Sequence, residues 1–307
     1  MTTPGELLNL YNKGVNISSY LRKETGISYN SSDIIEISYD LQTGSYINSL
    51  KDKKVATQKE KYCNEIANTI RSLCNPKTIL EAGVGEGTTL SGVIKNFTDK
   101  QNTKQSYYGF DLSWSRVLYA KKWLHNQGIN NTFLCTGNLF NIPFTDNYFD
   151  IVYTSHSIEP NGGNEEPILQ ELYRVTKNFL ILLEPGYDFA NNEARKRMEF
   201  HGYCKDLQKK SISLGYDVQE HKLFPHSSNK MNPTAITIIR KRDTGNACNS
   251  TPMACPKFKT PLKKMHGMLY SPEALVVYPI IGDIPCLRIE NGIIASKFEE
   301  LLDPLNE

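Results

Sequence analysis

The chain has 307 residues, 39% apolar and 22% charged, which is enough for one sizeable core with an appendage or for two small domains. Its 35 basic and 33 acidic residues leave a formal charge of +2, so nothing in the balance demands a nucleic-acid partner, and that partner is not expected. No run of about 18 apolar residues predicts a membrane span, the N-terminus lacks the pattern of a signal peptide, and seven scattered cysteines suit free thiols in a reducing cytoplasm.

In chain order, Leu7, Leu8, Tyr11, Val15, Tyr20 and Leu21 recur at roughly helical spacing and predict a helix over about 5–23. A polar stretch at 28–33 ends it. The segment 37–47 mixes tyrosines with polar residues, and Val55, Tyr62, Ile66, Ile70 and Leu73 then form the apolar stripe of a second helix over about 55–74. From residue 78 onward strands and helices alternate, which implies a parallel sheet with helices on both faces. Strands are expected near 78–82, 106–111, 131–135, 148–154 and 178–183, with helices near 87–96, 114–127 and 164–176. A broken helix over about 190–214 precedes two final strands at 216–223 and 234–240, separated by the turn signal Asn232-Pro233.

The first strand runs straight into E-A-G-V-G-E-G, residues 81–87. Glycines there let the backbone take positive φ and let a ligand approach without meeting a Cβ. Such a turn alone is weak evidence, but no Gly-Lys-Ser/Thr follows, which disfavours a P-loop. E-x-G-x-G-x-G resembles the first motif of class I S-adenosylmethionine-dependent methyltransferases. The resemblance implies that Gly83, Gly85 and Gly87 pass under the methionine part of that cofactor and that Glu81 orders the turn and the amino group. It also implies that the two last strands close the sheet as a hairpin with one antiparallel strand. The tyrosine-rich segment then resembles the family's N-terminal lid, with Tyr39, Asp40 and Tyr46 over the cofactor; packing of the lid on the core would explain the same tyrosines.

In such sheets ligands sit at the carboxyl ends of the strands, so the residues just after each strand matter most. Asp111 ends the second strand, where a carboxylate can accept both ribose hydroxyls, and Leu112 beside it could line the adenine pocket. Asn138, with Leu139, stands where the family often has Gly-Asp, and an amide can both donate and accept. Pro143-Phe144 and Phe149-Asp150 resemble the family's approach to the fourth strand, and Asp150 reads as structural. After that strand, His156 and Glu159 are the acid–base candidates, since histidine titrates near neutrality; a purely hydrogen-bonding His156 is the other reading. The Asn-Pro-Pro-Tyr sequence of amino-group methyltransferases is absent. Glu184 and Tyr187 follow the fifth strand and are expected to face the same pocket. Arg195 to Tyr203 carries a cationic cluster with His201 and Tyr203, suited to an anionic substrate or merely to solvent.

Residues 243–250 read as a linker. The tail then has Cys255-Pro256 and, further on, Tyr278-Pro279-Ile280 with Gly282-Asp283-Ile284-Pro285. It resembles the small zinc-ribbon protein that activates several tRNA and translation-factor methyltransferases. Phe258 and Ser271 stand at two of that pattern's cysteine positions, and Cys248 and Cys286 do not restore the spacing. Structural zinc needs four donors, so no metal is expected. Leu262, Val277, Tyr278, Ile281 and Ile284 are expected to hold the ribbon by apolar packing.

The combined reading is an α/β chain: a helical lid over 1–75, a seven-stranded Rossmann-like methyltransferase core over 76–242, and a small β-rich ribbon domain over 252–307 that packs in cis on the core. S-adenosylmethionine is the implied cofactor and a small molecule the implied acceptor. Cores with a fused ribbon resemble those of bacterial surface-polysaccharide pathways, which favours an acidic or nucleotide-linked sugar. Methylation of RNA or of a translation protein is the second reading, and a cofactor-binding scaffold without catalysis the third.

Overall fold

A computed structural model describes residues 2–98, 105–227, 229–242 and 251–302. The first expected helix is two. Helix α1 (Pro4–Asn12) starts in a capping box between Thr3 and Glu6, and α2 (Ile17–Thr25) starts on Asn16, whose side chain accepts from the Ser19 amide. Gly14, at φ +81°, turns the chain between them, so periodicity ran across a break that the caps define. The tyrosine segment folds as the end of α3 (Ser32–Leu41) and the short α4 (Ser45–Ser49). Helix α5 (Lys53–Leu73) buries Tyr62, Cys63, Ile66, Ala67 and Ile70, one stripe of its surface.

Strands and helices then alternate. They are β1 (Thr78–Ala82), α6 (Thr88–Thr98), β2 (Ser106–Asp111), α7 (Trp114–Asn126), β3 (Thr132–Thr136), β4 (Phe149–Ser155), α8 (Glu165–Val175) and β5 (Thr176–Pro185). After them come α9 (Asn192–His201), α10 (Leu207–Ser213), β6 (Asp217–Leu223) and β7 (Thr234–Arg240). Among the described residues these strands form one seven-stranded sheet in the order β3-β2-β1-β4-β5-β7-β6. β1 to β5 pair in parallel, and β7 runs antiparallel to both β5 and β6. The order reverses between β1 and β4, and the crevice outside their carboxyl ends is where such sheets bind ligands. The strands at that point bury apolar side chains on both faces: Ile79, Leu80, Ile151 and Val152 are completely buried.

The tail adds β8 (Lys263–Met265), β9 (Met268–Ser271), β10 (Val276–Tyr278), the hairpin strands β11 (Ile280–Ile281) and β12 (Ile284–Pro285), β13 (Ile293–Ile294) and α11 (Phe298–Leu302). β13-β10-β9-β8 form a four-stranded antiparallel sheet. Leu262, Leu269, Tyr278 and Leu287 join one buried cluster with Leu80, Phe110, Phe144 and Phe149 of the large sheet. Of the residues expected to hold the tail, Ile281 is corrected. It is 53% exposed, because it lies on a two-residue strand that reaches out to α7. Cys248 and the linker 243–250 lie outside the described residues.

Candidate active site

A cavity of about 870 Å³ opens at the carboxyl ends of β1 to β4. One half is built by the turns after β1, β2 and β3 with α3 above them. Glu81, Gly83, Gly85, Asp111, Leu112, Asn138, Leu139, Tyr39 and Tyr46 all line it. Gly83 has φ +77°, and a Cβ there would stand 2.2 Å from the Ser157 Cβ, so the turn closes only on glycine. Gly87 is a correction. It does not line the cavity, and a Cβ on it would crowd the Ala120 Cβ at 3.1 Å, so this glycine serves the packing of α6 on α7.

Glu81 is 2% exposed and accepts from the Tyr153 hydroxyl at 2.8 Å. Burial pushes its carboxyl up to about 8, against the Tyr153 hydroxyl and the Lys59 ammonium, which favour the charged form. Asp111 braces the glycine turn. Its Oδ2 accepts from the Gly85 amide at 2.9 Å and its Oδ1 from the Ser113 amide at 3.1 Å. Asn138 accepts from the Phe140 amide at 3.0 Å, which orders the turn after β3.

The lid is fastened to the core by Glu86, Arg116 and Ser113, which sequence reading did not single out. The Glu86 carboxylate accepts from the backbone amides of Gly44, Tyr46 and Ile47 at 2.9, 3.3 and 2.8 Å. Arg116, 6% exposed, lies 3.9 Å from Glu86, with its guanidinium over the rings of Tyr39 and Tyr46 at 5.1 and 4.7 Å. Ser113 donates to Asp40 at 2.5 Å. Glu86 sits in the motif itself, but its partners are some 40 residues upstream, and no local pattern links them.

The other half is built by α5, the loop after β4 and the loop before β7. His156 takes φ +57°. Its Nδ1 lies 2.5 Å from Glu159 Oε2 and its Nε2 2.8 Å from Thr234 Oγ1. Burial would lower the His156 pKa, but the Glu159 carboxylate overrides it and holds the ring above its ordinary value. Burial likewise opposes charge on Glu159, yet His156, Asn232 and Tyr203 bring its carboxyl below the usual range. Thr234 and Asn232 were missed because they arrive from the start of β7 and the loop before it, more than 70 residues away.

Glu184, Tyr187, His201 and Tyr203 do not line the cavity. Glu184 lies beneath the loop, accepting from the amides of Ser157, Ile158 and Glu159 at 3.1, 3.1 and 3.0 Å. Burial pushes its carboxyl up to about 7. Tyr203 supports Glu159 from behind and His201 stacks on Tyr203 at 5.4 Å. Tyr187 turns away to donate to Glu199. The cations of α9 are elsewhere too: Arg195 donates to the carbonyls of Tyr187 and Asp188. Cations that do line the cavity are Lys54 and Lys59 of α5, beside Gln58, and Arg116 of α7; His226 lines it too. Lys59 donates to Thr89 Oγ1 at 2.6 Å, at the start of α6. Among the described residues no three His, Cys, Asp or Glu side chains come together to hold a metal.

Residues 75–223 match the family described as a methyltransferase domain, and this stretch is such a domain. The chain is 33% identical over 70 residues to a demethylmenaquinone methyltransferase of Geobacillus stearothermophilus; the match takes in 23% of this chain and spans 30% of that protein's length. In fold it is similar to magnesium protoporphyrin IX methyltransferase from Synechocystis with bound SAH, at TM-score 0.52 and 13% identity over 69% of this chain and 100% of the other. A SAM dependent methyltransferase from Aquifex aeolicus aligns at TM-score 0.43 and 18% identity over 56% and 87% of the two chains. S-adenosylmethionine fits the donor set of the cavity: a buried carboxylate for its ammonium, an aspartate after β2 for its ribose, and a volume that leaves room for an acceptor. Among the described residues no helix is long and apolar enough to cross a membrane.

Proposed function

We propose that this chain transfers a methyl group from S-adenosylmethionine to a small, polar, anionic molecule. The observation that carries the reading is the division of one cavity into two halves. Glu81, Asp111 and Asn138 stand at one, and the His156–Glu159 pair with Lys54, Lys59 and His226 at the other. Glu81 would hold the cofactor's ammonium, Asp111 the ribose hydroxyls, and Leu112, Asn138 and Leu139 the adenine. Tyr39 and Tyr46 close over it. Bound there, the cofactor supplies an electrophilic methyl on a sulfonium. The residues then orient the acceptor in line with it and manage one proton. His156 takes that proton through its neutral fraction, with the Thr234 hydroxyl at its Nε2 and Glu159 fixing the ring.

The acceptor half favours an anion. Its carboxylate, Glu159, is matched by His156, and the Lys54 ammonium faces the same cavity from α5. An acidic or nucleotide-linked sugar of a surface-polysaccharide pathway fits this lining better than an apolar acceptor, which would want an apolar sleeve. The tail reads as a ribbon that has lost its metal and stays fused to its methyltransferase: Cys255 and Ser271 hydrogen-bond side by side, as two former ligand positions of one site would. The division into 1–75, 76–242 and 252–307 belongs to the same proposal.

The test is incubation with methyl-labelled cofactor and three acceptor pools: acidic and nucleotide-linked sugars, RNA, and translation proteins. Label in the sugars supports the reading. Label in RNA or protein moves the function to the second class, and tight cofactor binding with no label in any pool makes the chain a scaffold.

A further inference from the structure

The tail meets the cofactor half of the cavity at Arg288. It is 8% exposed and lies where three parts of the chain meet. Its guanidinium pairs with Glu36 of α3, donates to the Leu112 carbonyl at 3.4 Å, and lies 3.6 Å from its neighbour Glu290. Glu36 and Leu112 both line the cavity. Glu36 stands one helical turn before Asp40, and Leu112 follows Asp111. Arg288 therefore ties the lid helix to the turn that carries the proposed ribose ligand.

Arg288 is itself fixed. The Leu287 amide donates to the Thr136 carbonyl at 3.2 Å, so the segment continues the β3 edge. Trp114 and Lys121 of α7 donate to the carbonyls of Ile281 and Gly282. A guanidinium held this way cannot follow α3 outward. Opening the lid at this end must take the partly exposed Glu36 carboxylate away from a buried guanidinium, which would be left poorly solvated.

We propose that Arg288 is a positioning residue for the cofactor, holding α3 closed over the nucleoside half through Glu36 and Leu112. The inference rests on the cofactor reading given above. The tail is then part of the methyl-donor site and not only a cover for apolar surface.

The experiment uses the full chain and S-adenosylhomocysteine, which binds without reacting. Affinity and dissociation rate are measured for the wild type and for Arg288→Met, Arg288→Lys, Glu36→Gln and the Met/Gln double variant, with melting temperatures alongside. Arg288→Met and Glu36→Gln should each weaken binding about tenfold, mostly through faster release, and the double variant should be no weaker than the worse single. Arg288→Lys should recover part of the loss. Asp283→Ala removes an exposed partner of Lys121 in the same segment and should change nothing. Should Arg288→Met fail to fold, Glu36→Gln carries the test without touching the tail. If the wild type binds and the Glu36 and Arg288 variants match it, or if losses simply add, the clamp is wrong and the cofactor reading stands. If the wild type does not bind, the cofactor reading falls and the clamp with it.

Discussion

Glu81 carries the sharpest consequence at the scale of single residues. Its carboxyl is pushed up to about 8, mainly by burial, so below that pH it is largely neutral in the free protein. The cofactor ammonium proposed to sit there would pair with the charged form, so binding should release a proton, and affinity should rise as pH climbs from about 6 to about 8. Glu81→Gln should flatten that rise; calorimetry in buffers of different ionisation enthalpy measures the proton directly, and equal heats would remove the linkage. Asp111→Ala should weaken cofactor binding by about 1–3 kcal/mol, since the side chain lines the cavity at the proposed ribose position and ties down the Gly85 amide; unchanged affinity on titration would take Asp111 out of the site. These residues were legible because the strand, the glycines and the carboxylates sit next to each other in sequence. Lys59, Thr234 and Asn232 were not, because each reaches the cavity from an element whose own pattern is that of an ordinary helix, strand or turn. Tyr187 shows the reverse error: following β5 placed it near the site in sequence, but the 3₁₀ turn at Tyr187–Phe189 points its hydroxyl at Glu199.

At the scale of elements, the strand and helix alternation was readable nearly throughout, because burial on both faces makes the strands continuous apolar runs. The division of α1 from α2 was not, since a capped break of a few residues leaves the helical spacing nearly in phase. The lid's attachment was hidden for a different reason. It is made by backbone amides of Gly44, Tyr46 and Ile47, which carry no side-chain signature, to one carboxylate on the glycine turn. Three amide donors on one buried anion make charge-assisted bonds of the stronger kind. Glu86→Ala should therefore loosen α4 by about 2–3 kcal/mol. Hydrogen exchange at those amides should accelerate, while amides within β1 and β4 keep their protection. Unchanged exchange at residue 44, 46 and 47 amides would mean that the tyrosine rings on Arg116 hold the lid without Glu86.

For the whole molecule, the question is what keeps the tail folded and in place. A full structural zinc site can supply roughly 10–16 kcal/mol of folding energy. Here Cys255 has Tyr278 and Ser271 for neighbours, and Phe258 is 49% exposed. Purified protein should contain no stoichiometric zinc; one tightly held zinc per chain on metal analysis would refute that. The seam with the sheet is then the natural substitute. The Thr145 amide donates to the Pro252 carbonyl and the Ala254 amide to the Pro143 carbonyl. Leu262, Leu269, Tyr278 and Leu287 bury their side chains in the cluster that holds Phe144 and Phe149. Burial of such a side chain contributes about 1.5–3 kcal/mol. Even if half of that comes from contacts within the tail, the seam is worth several kcal/mol, a large share of the 5–15 kcal/mol by which domains of ordinary size are stable. Sequence reading expected the tail to pack in cis on the core but could not name the residues that meet there, because its strands are too short to show on which face they pack. A chain ending at residue 242 should consequently lose melting temperature steeply or aggregate, having uncovered the apolar surface around Phe144. Adding residues 251–307 as a separate chain should recover less than the fused tail, whose effective concentration is set by a short linker. A soluble 1–242 chain with the melting temperature of the whole would show that the sheet closes without its tail.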